Sequence, residues 1–572
     1  MNSKNFKKLI KKYLGIVQLI IFFAALYFGY VGFHQEYFGS VAVESATQAE
    51  TAKAPDTAEA SKALVGEPLF KTLLLYAFGY DDVAPNVYIN IARYLAAVFS
   101  LSIILYICRD GMKTIWFFIV GLHKDSVFIF GDNEEADRIK DSVKHHISGI
   151  DYALPIRGKY VLMGTNEENA AFYDDNKKEL ADKTVYLRSD AVSRVYTNKG
   201  RFRYFSLNEI VARQYWEKYS FIDMIDTVPD VENKTDCTID KGETKTINVA
   251  FVGFDTFGEE LLFQSIQTNV FGPGYVVNYH LFGKIDEFSN IHDKDNLKAL
   301  NITCHTSEWY QNIDLLKAMD RIIVCDYKSA LSTAQKLLKT VTAVRVDVIS
   351  YEEIDPELLR DHRFGRIASD VEINTISYLE EGCAWENIIA DNTVKMAMDM
   401  NWAWTGEDAK KKFGEELYRR FNNKEIKAKA NLCKPESVRT AQQETAREEM
   451  LKHIAWESLP AELRYSNIAS ADNKNVRLKL IEKWNKLSGQ NYTYDNYAHI
   501  LDEIEHMRWV NYYLFYNWKH YGDEEKKIYA HDEGKATRST KYRMHADIVD
   551  FKDLSDEEKA KDTIMVSTSL KK

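Results

Sequence analysis

No two cysteines in this chain form a C-x-x-C pair. Cys108, Cys237, Cys304, Cys325, Cys383 and Cys433 are scattered. Neither a zinc site nor a disulfide framework is expected, and reduced thiols in a cytosolic body are the reading. An excess of positive charge is also missing, since the formal net charge is -11. Nucleic-acid binding is therefore not expected, because clustered cations are needed to displace counterions from phosphates. No nucleophile–base arrangement or paired-carboxylate motif stands out, so no catalytic or metal-ligating residue is assigned and the chain is read as a non-enzyme. Long apolar runs are confined to the N-terminal part. At 572 residues and roughly 100–200 per domain, about three or four units are expected.

Residues 1–125 read as a membrane domain. Tyr13 to Phe33 is an uncharged apolar run, long enough to cross a hydrocarbon core of about 30 Å and longer than the apolar core of a signal peptide. Val87 to Cys108 reads as a second span, interrupted by Arg93. Lys4, Lys7, Lys8, Lys11 and Lys12 precede the first span, whereas the longer intervening loop holds only Lys53, Lys62 and Lys71. The positive-inside rule then places both termini in the cytoplasm. Within the loop, Val41 to Glu67 is poor in large apolar residues and is expected to be disordered. Pro68 to Tyr80 is apolar but too short to cross, so it is either a re-entrant segment or a surface helix. Phe78 to Asp82, FGYDD, is similar in part to potassium-channel filters but lacks their threonine, valine and second glycine. Thr114 to Leu122 reads as an interfacial helix.

From Ser126 the pattern alternates between short apolar strands and amphipathic helices, predicting doubly wound α/β domains over 126–240 and 241–375. SVFIFG, YVLMG and TVYLRS supply strands of the first; INVAFV, NYHLFG, DRIIVCD and VRVDVIS supply strands of the second. The second opens on Gly253-Phe254-Asp255-Thr256-Phe257-Gly258. Residues 126–370 resemble, as a degenerate tandem, the regulatory nucleotide-binding domains of potassium channels and potassium-uptake systems. That resemblance implies Rossmann folds and a dinucleotide or adenine-nucleotide cofactor, with Gly253 and Gly258 as its binding glycines. The chain departs from the pattern at Asp255, where G-x-G-x-x-G has its second glycine. Gly283 and Lys284 stand where an acidic residue would hold the ribose. In the first domain only Gly131 remains, followed by Asp132, Asn133, Glu134 and Glu135, so NAD is not expected there.

Residues 376–572 turn mostly helical and rich in tryptophan, with Trp402 and Trp404 as expected anchors. Across 456–572, Ser466, Asn467, Ala471 and Asp472 are followed by Glu505, His506, Arg508 and Trp509, then Trp518, Tyr521 and Gly522. His545, Asp547, Val549, Phe551, Leu554, Glu558, Lys559 and Asp562 close the series. These blocks resemble, in order, the repeat domain first recognised in ryanodine receptors. Asn517 replaces a glycine of that pattern and Ala546 a proline. The ligand-binding set expected from this module is Ser466, Asn467, Asp472, Glu505, His506, Arg508, Trp509 and Trp518. Two readings of its centre are open. Arg508 can fork to a phosphate while an indole stacks on a base. Alternatively, Glu505 and Arg508 form an intrahelical ion pair beside a satisfied histidine and core tryptophans.

Taken together, the resemblances imply a bacterial inner-membrane protein of two transmembrane helices that senses a nucleotide ligand. A pore or a disturbed bilayer would follow ligand binding, as in nucleotide-signalling defence against phage. Two spans cannot enclose an aqueous path alone, so a homo-oligomer, with a tetramer favoured, is expected in contact with membrane lipid. Two other readings are a nucleotide sensor serving an ion-transport system and a membrane-tethered scaffold that binds protein.

Overall fold

The computed structural model describes residues 20–36, 68–77, 86–107, 109–149, 153, 157–189, 202–231, 244–341, 345–359, 371–389, 391–420, 440–533 and 537–570. The chain divides into two compact units, 1–120 and 121–572.

In the first unit, small residues set how closely helices approach. α1 (residues 20–36), α2 (residues 68–76) and α3 (Val87–Ile107) pack through Ala25, Phe33, Leu75, Ile89, Ala92 and Ala96. A Cβ on Gly29 would lie 2.5 Å from Thr72, and one on Gly32 would lie 2.7 Å from Ile89. Only glycine admits these approaches, as at close-packed membrane helices. The Asn86 amide donates to the Gly32 carbonyl at 3.0 Å, and Ser100 Oγ donates to the Tyr76 carbonyl at 2.6 Å. Phe23, Tyr27, Tyr94, Val98 and Leu101 point outward. Among the described residues, Val87–Ile104 is the one helix long and apolar enough to cross a membrane. Of the expected first span, 20–33 is helical, while 13–19, the preceding lysines, the 41–67 loop and Phe78–Asp82 lie outside the described residues. α4 (Arg109–Gly121) follows, exposing Ile115, Trp116, Phe118 and Ile119.

In the second unit, strands buried on both faces form parallel sheets, as continuous apolar runs such as VFIF and RIIV predict. The described residues first form a five-stranded sheet of β1 (Val127–Phe130), β2 (His146–Ser148), β3 (Lys159–Leu162), β4 (Val185–Arg188) and β5 (Phe202–Phe205), in the order β2-β1-β3-β4-β5. Its helices are α5 (Glu134–Ser142), α6 (Asn166–Asp175), α7 (Lys177–Leu180) and α8 (Leu207–Tyr219). A six-stranded sheet follows: β6 (Lys245–Phe254), β7 (Tyr275–Gly283), β8 (Ile302–His305), β9 (Arg321–Val324), β10 (Arg345–Ser350) and β11 (Ile373–Ser377). The order β11-β10-β9-β6-β7-β8 is that of a dinucleotide-binding Rossmann sheet, and every pairing is parallel. α9 (Thr256–Thr268), α10 (Asp286–Ile291), α11 (Lys294–Ala299), α12 (Ile313–Lys317), α13 (Ala330–Leu337) and α14 (Pro356–Leu359) connect its strands.

The remaining chain is mainly helical. α15 (Tyr378–Cys383) and α16 (Trp385–Ile388) lead into α17 (Asp391–Trp404), α18 (Glu407–Arg420) and α19 (Ala441–Ser458). Then come α20 (Ala461–Asp472), α21 (Lys474–Ser488), α22 (Tyr494–Phe515), α23 (Asp523–Glu533) and α24 (Asp556–Leu570). A three-stranded sheet of β12 (Lys519–His520), β13 (Arg538–Ser539) and β14 (Met544–His545) sits beside them. One continuous apolar core runs from Val127 in the first sheet through the second sheet to Val566. Polar clamps reinforce it: Trp216 of α8 donates to the Leu261 carbonyl at 2.8 Å, and Tyr215 donates to the buried Asp347 of β10. Asn517 takes a left-handed φ of 61°, which asparagine tolerates better than most residues. Its side chain also accepts from the Asp293 N–H at 2.7 Å. Ala546 uses its N–H to donate to the Thr537 carbonyl at 2.8 Å, a bond that proline cannot make. Asn517 and Ala546 thus each have a local physical reason.

Candidate ligand-binding site

The glycine-rich turn after β6 leads into α9. Gly253 has φ +80° and would drive a Cβ to 2.6 Å from Asp326 Cβ, while a Cβ on Gly258 would lie 2.9 Å from the Phe254 ring. Both glycines therefore serve the tight turn and the close seating of α9. Asp255 caps α9, accepting from the N–H groups of Phe257 at 3.0 Å and Gly258 at 3.3 Å. A carboxylate of the chain itself thus occupies donors that a pyrophosphate would use at a helix N-terminus. Burial raises the pKa of Asp255, against those two bonds. The crevice beyond is filled by rings: Tyr327 stacks on Tyr378 at 4.2 Å, and Phe257 meets each of them edge-on at 5.5 Å. In the first sheet, Asn133 plays the capping part, accepting from the Ala136 N–H at 2.8 Å, and three acids occupy the first turn of α5. Neither turn presents open phosphate-binding donors, so Gly253 and Gly258 act here as packing residues.

A different cavity, of about 320 Å³, opens in the C-terminal module between α17, α20, α22, α24 and the small sheet. Ser466, Asn467, Glu505, His506, Arg508 and Trp509 all line it. Helical spacing explains the grouping, since 505, 508 and 509 share one face of α22. Asp472 and Trp518 do not line it. Asp472 is paired with Arg213 at 2.7 Å, and Trp518 is buried edge-on against Tyr513.

Arg508 is engaged within the fold, as in the second of the two readings of this cluster. Its guanidinium forks onto Glu505, with Nε–Oε2 at 2.9 Å and Nη2–Oε1 at 2.8 Å, and Nη1 donates to Gln267 of α9 at 2.9 Å. It is 1% exposed. Glu505 also holds Arg477, which donates onward to Ser569 at 3.1 Å. Burial alone would raise the Glu505 carboxyl, but Arg508 and Arg477 hold it below the usual range. Arg508 is therefore one arm of a buried Arg–Glu–Arg triad centred on Glu505, and its Nε, Nη1 and Nη2 donate inside the fold.

What faces the cavity is aromatic and polar. Trp509 lies against the rings of His506 and Tyr513, and His545 meets it edge-on at 4.9 Å. Trp404 lines the same cavity, with Lys561 5.7 Å from its ring centroid; Trp402 instead packs beside Leu417 and Leu451. Burial, aided by Arg538, Lys561 and His506, lowers the His545 pKa to about 4, and its Nδ1 accepts from the Asp547 N–H at 3.2 Å. His545 is thus neutral at physiological pH. Burial would also lower His506, but Asp562 beside it raises it overall. Glu558 is ion-paired with Lys561, and Asp562 faces His506 Nδ1 at 3.5 Å. That leaves Arg538, a partly buried lining residue whose side chain makes no hydrogen bond or ion pair among the described residues. No protein-family model and no curated protein matches the chain. Arg538 was missed in the sequence because it sits on a two-residue strand with no spacing signal; Tyr513, four residues after Trp509 on the same helix, was within reach of that spacing but reads as an ordinary core position.

A buried acid beside this cavity gives a pH signature. Asp502 accepts from Thr563 Oγ1 at 2.6 Å, and burial raises its pKa to about 7 despite that bond. A carboxyl with a raised folded pKa stabilises the fold below its unfolded value of about 4, and that stability is lost as pH rises through 7. Asp502→Asn keeps the Thr563 contact and removes the titration. Denaturation from pH 4 to 8 should show the variant gaining on wild type by about 2–4 kcal/mol as pH rises. A pH-independent difference would show that Asp502 remains ionised throughout.

Proposed function

We propose that the chain is a membrane-anchored receptor for a nucleotide second messenger. Ligand binding in the C-terminal cavity acts on the membrane segment of a homo-oligomer, opening a path or disturbing the bilayer, in bacterial antiphage signalling. Two spans with both termini in the cytoplasm belong to this proposal. The observation that carries it is the pairing, in one cavity of about 320 Å³, of the partly buried Trp509 indole, which lines it, with the Arg538 guanidinium, which has no side-chain partner among the described residues. An indole stacks on a base, and a guanidinium forks to a phosphate. The Asn467 amide, on the same wall, adds both a donor and an acceptor for a base edge. The apolar helix Val87–Ile104 and the outward-facing rings of the first unit support membrane anchoring. The alternative of a dinucleotide sensor acting through the second sheet is disfavoured by the Asp255 cap.

The test titrates cyclic and linear adenine and guanine oligonucleotides into the detergent-solubilised full chain by calorimetry, then measures dye leakage from liposomes carrying it. Arg538→Ala should weaken binding by roughly 1.5–3 kcal/mol, or about ten- to a hundred-fold, and leakage should fall with it. Undiminished binding in a folded Arg538→Ala protein would overturn the assignment, as would the absence of binding by every probe.

A further inference from the structure

A second cavity, of about 430 Å³, lies where α8, α9, α17, α20 and α21 meet beside β5. Its wall includes Arg464 of α20, which is 7% exposed and whose Nε and Nη1 are buried without a hydrogen-bond partner. Arg464 makes no ion pair among the described residues; Glu457 and Tyr465 act on it only electrostatically. An uncompensated buried guanidinium is among the most costly groups a fold can keep.

The surrounding charges indicate what compensates it. The acids on the wall are already engaged: Asp472 and Glu209 pair with Arg213 at 2.7 Å each, and Glu217 accepts from Asn475 at 2.8 Å. Arg203 and Lys474 add further positive charge to the same wall, and Trp456 and Tyr465 add ring surface. We infer that this cavity is a second ligand site for a phosphate-bearing small molecule, with Arg464 as its charged grip. The planar fork of arginine matches two phosphate oxygens, and the cavity is larger than a lone phosphate requires. The site is independent of the one proposed above, although α20 is a wall of both: Leu463, Ser466 and Asn467 face the first cavity, and Arg464, Tyr465 and Ile468 face the second.

The test uses the detergent-solubilised full chain with inorganic pyrophosphate and ATP as probes, followed by thermal unfolding and calorimetry. Either probe should raise the unfolding temperature of the wild type. Arg464→Gln should abolish that rise and weaken binding at least tenfold, and Lys474→Ala should weaken it several-fold. Without a probe, Arg464→Gln should unfold at no lower temperature than wild type, because it removes an unpaired buried charge. Three results would each overturn the proposal. They are no binding of either probe by wild type, equal binding by Arg464→Gln, and probe-free destabilisation of Arg464→Gln, which would reveal a structural partner for the guanidinium.

Discussion

Replacing Glu505 with alanine should unfold the C-terminal module more readily than any other single change in its core. Arg477 and Arg508 are each 1% exposed, and both depend on this one carboxylate. Without it, the remaining hydrogen-bond partners are neutral: Ser569 and Ser470 beside Arg477, and Gln267 beside Arg508; Asp502 and Asp562 act only at longer range. Leaving buried charge uncompensated costs about 3–5 kcal/mol. Denaturant unfolding followed by tryptophan fluorescence reads the loss directly. Arg508→Ala should also destabilise, but less, because Glu505 keeps Arg477. A Glu505→Ala loss below about 1 kcal/mol would mean that water or rearrangement reaches the triad, reopening Arg508 to a ligand. Because Arg508 bonds to Gln267 of α9, the triad also ties the C-terminal helices to the second sheet. Its loss should loosen that junction together with the module.

Gly283→Ala should be comparably severe, for steric reasons. Gly283 ends β7 at φ +150°, where a Cβ would lie 2.4 Å from both the backbone N and O of Phe254. The pairing of β6 and β7 shifts register between Val252 and Phe254, and the Lys284 N–H then donates to the Phe254 carbonyl at 2.7 Å. A side chain at 283 must either force the two strand ends apart or break that bond. The expected loss is about 3 kcal/mol or more, from backbone strain combined with overpacking. Circular dichroism during chemical denaturation measures it. A near-neutral result would show that the register shift relaxes easily. The same geometry explains why no acidic residue ends this strand: the place where a ribose partner would stand is in contact with backbone.

The central strands were legible in the sequence because parallel strands buried on both faces are predominantly apolar and β-branched. VFIF, NVAFV, RIIV and VRVDVIS carry that signal without a tertiary context. The edge strands His146–Ser148, Ile302–His305 and Ile373–Ser377 were not read as strands. Three to five residues with one side open to solvent give no distinctive period. The two-residue strands β12, β13 and β14 were missed for the same reason.

For the candidate site, the sequence brought the right segments together and left open whether Arg508 faces a ligand or pairs with Glu505. The spacing of Glu505, His506, Arg508 and Trp509 placed them on one helical turn, and the ordered blocks placed Ser466 and Asn467 with them. Such a pattern is identical for a charged pair facing a cavity and for one facing a neighbouring helix. Only the docking of α22 against α9 and α21 turned Arg508 inward, where Glu505 and Gln267 accept from it. That docking joins residues 241 positions apart in sequence, a distance at which local periodicity carries no information. Likewise, Asp255 was visible as a departure from the glycine pattern, but only the folded turn shows its carboxylate already bound to the N–H groups of Phe257 and Gly258. The sequence by itself determined the alternation of strand and helix, the apolar N-terminal runs and the departures from a dinucleotide loop, because these depend on neighbours a few residues away. The tertiary structure alone decided which charges are paired, and so left the guanidinium of Arg538 without a side-chain partner, and that of Arg464 with unpartnered nitrogens, among the described residues beside the two cavities, because pairing is set by contacts between segments that the chain brings together only on folding.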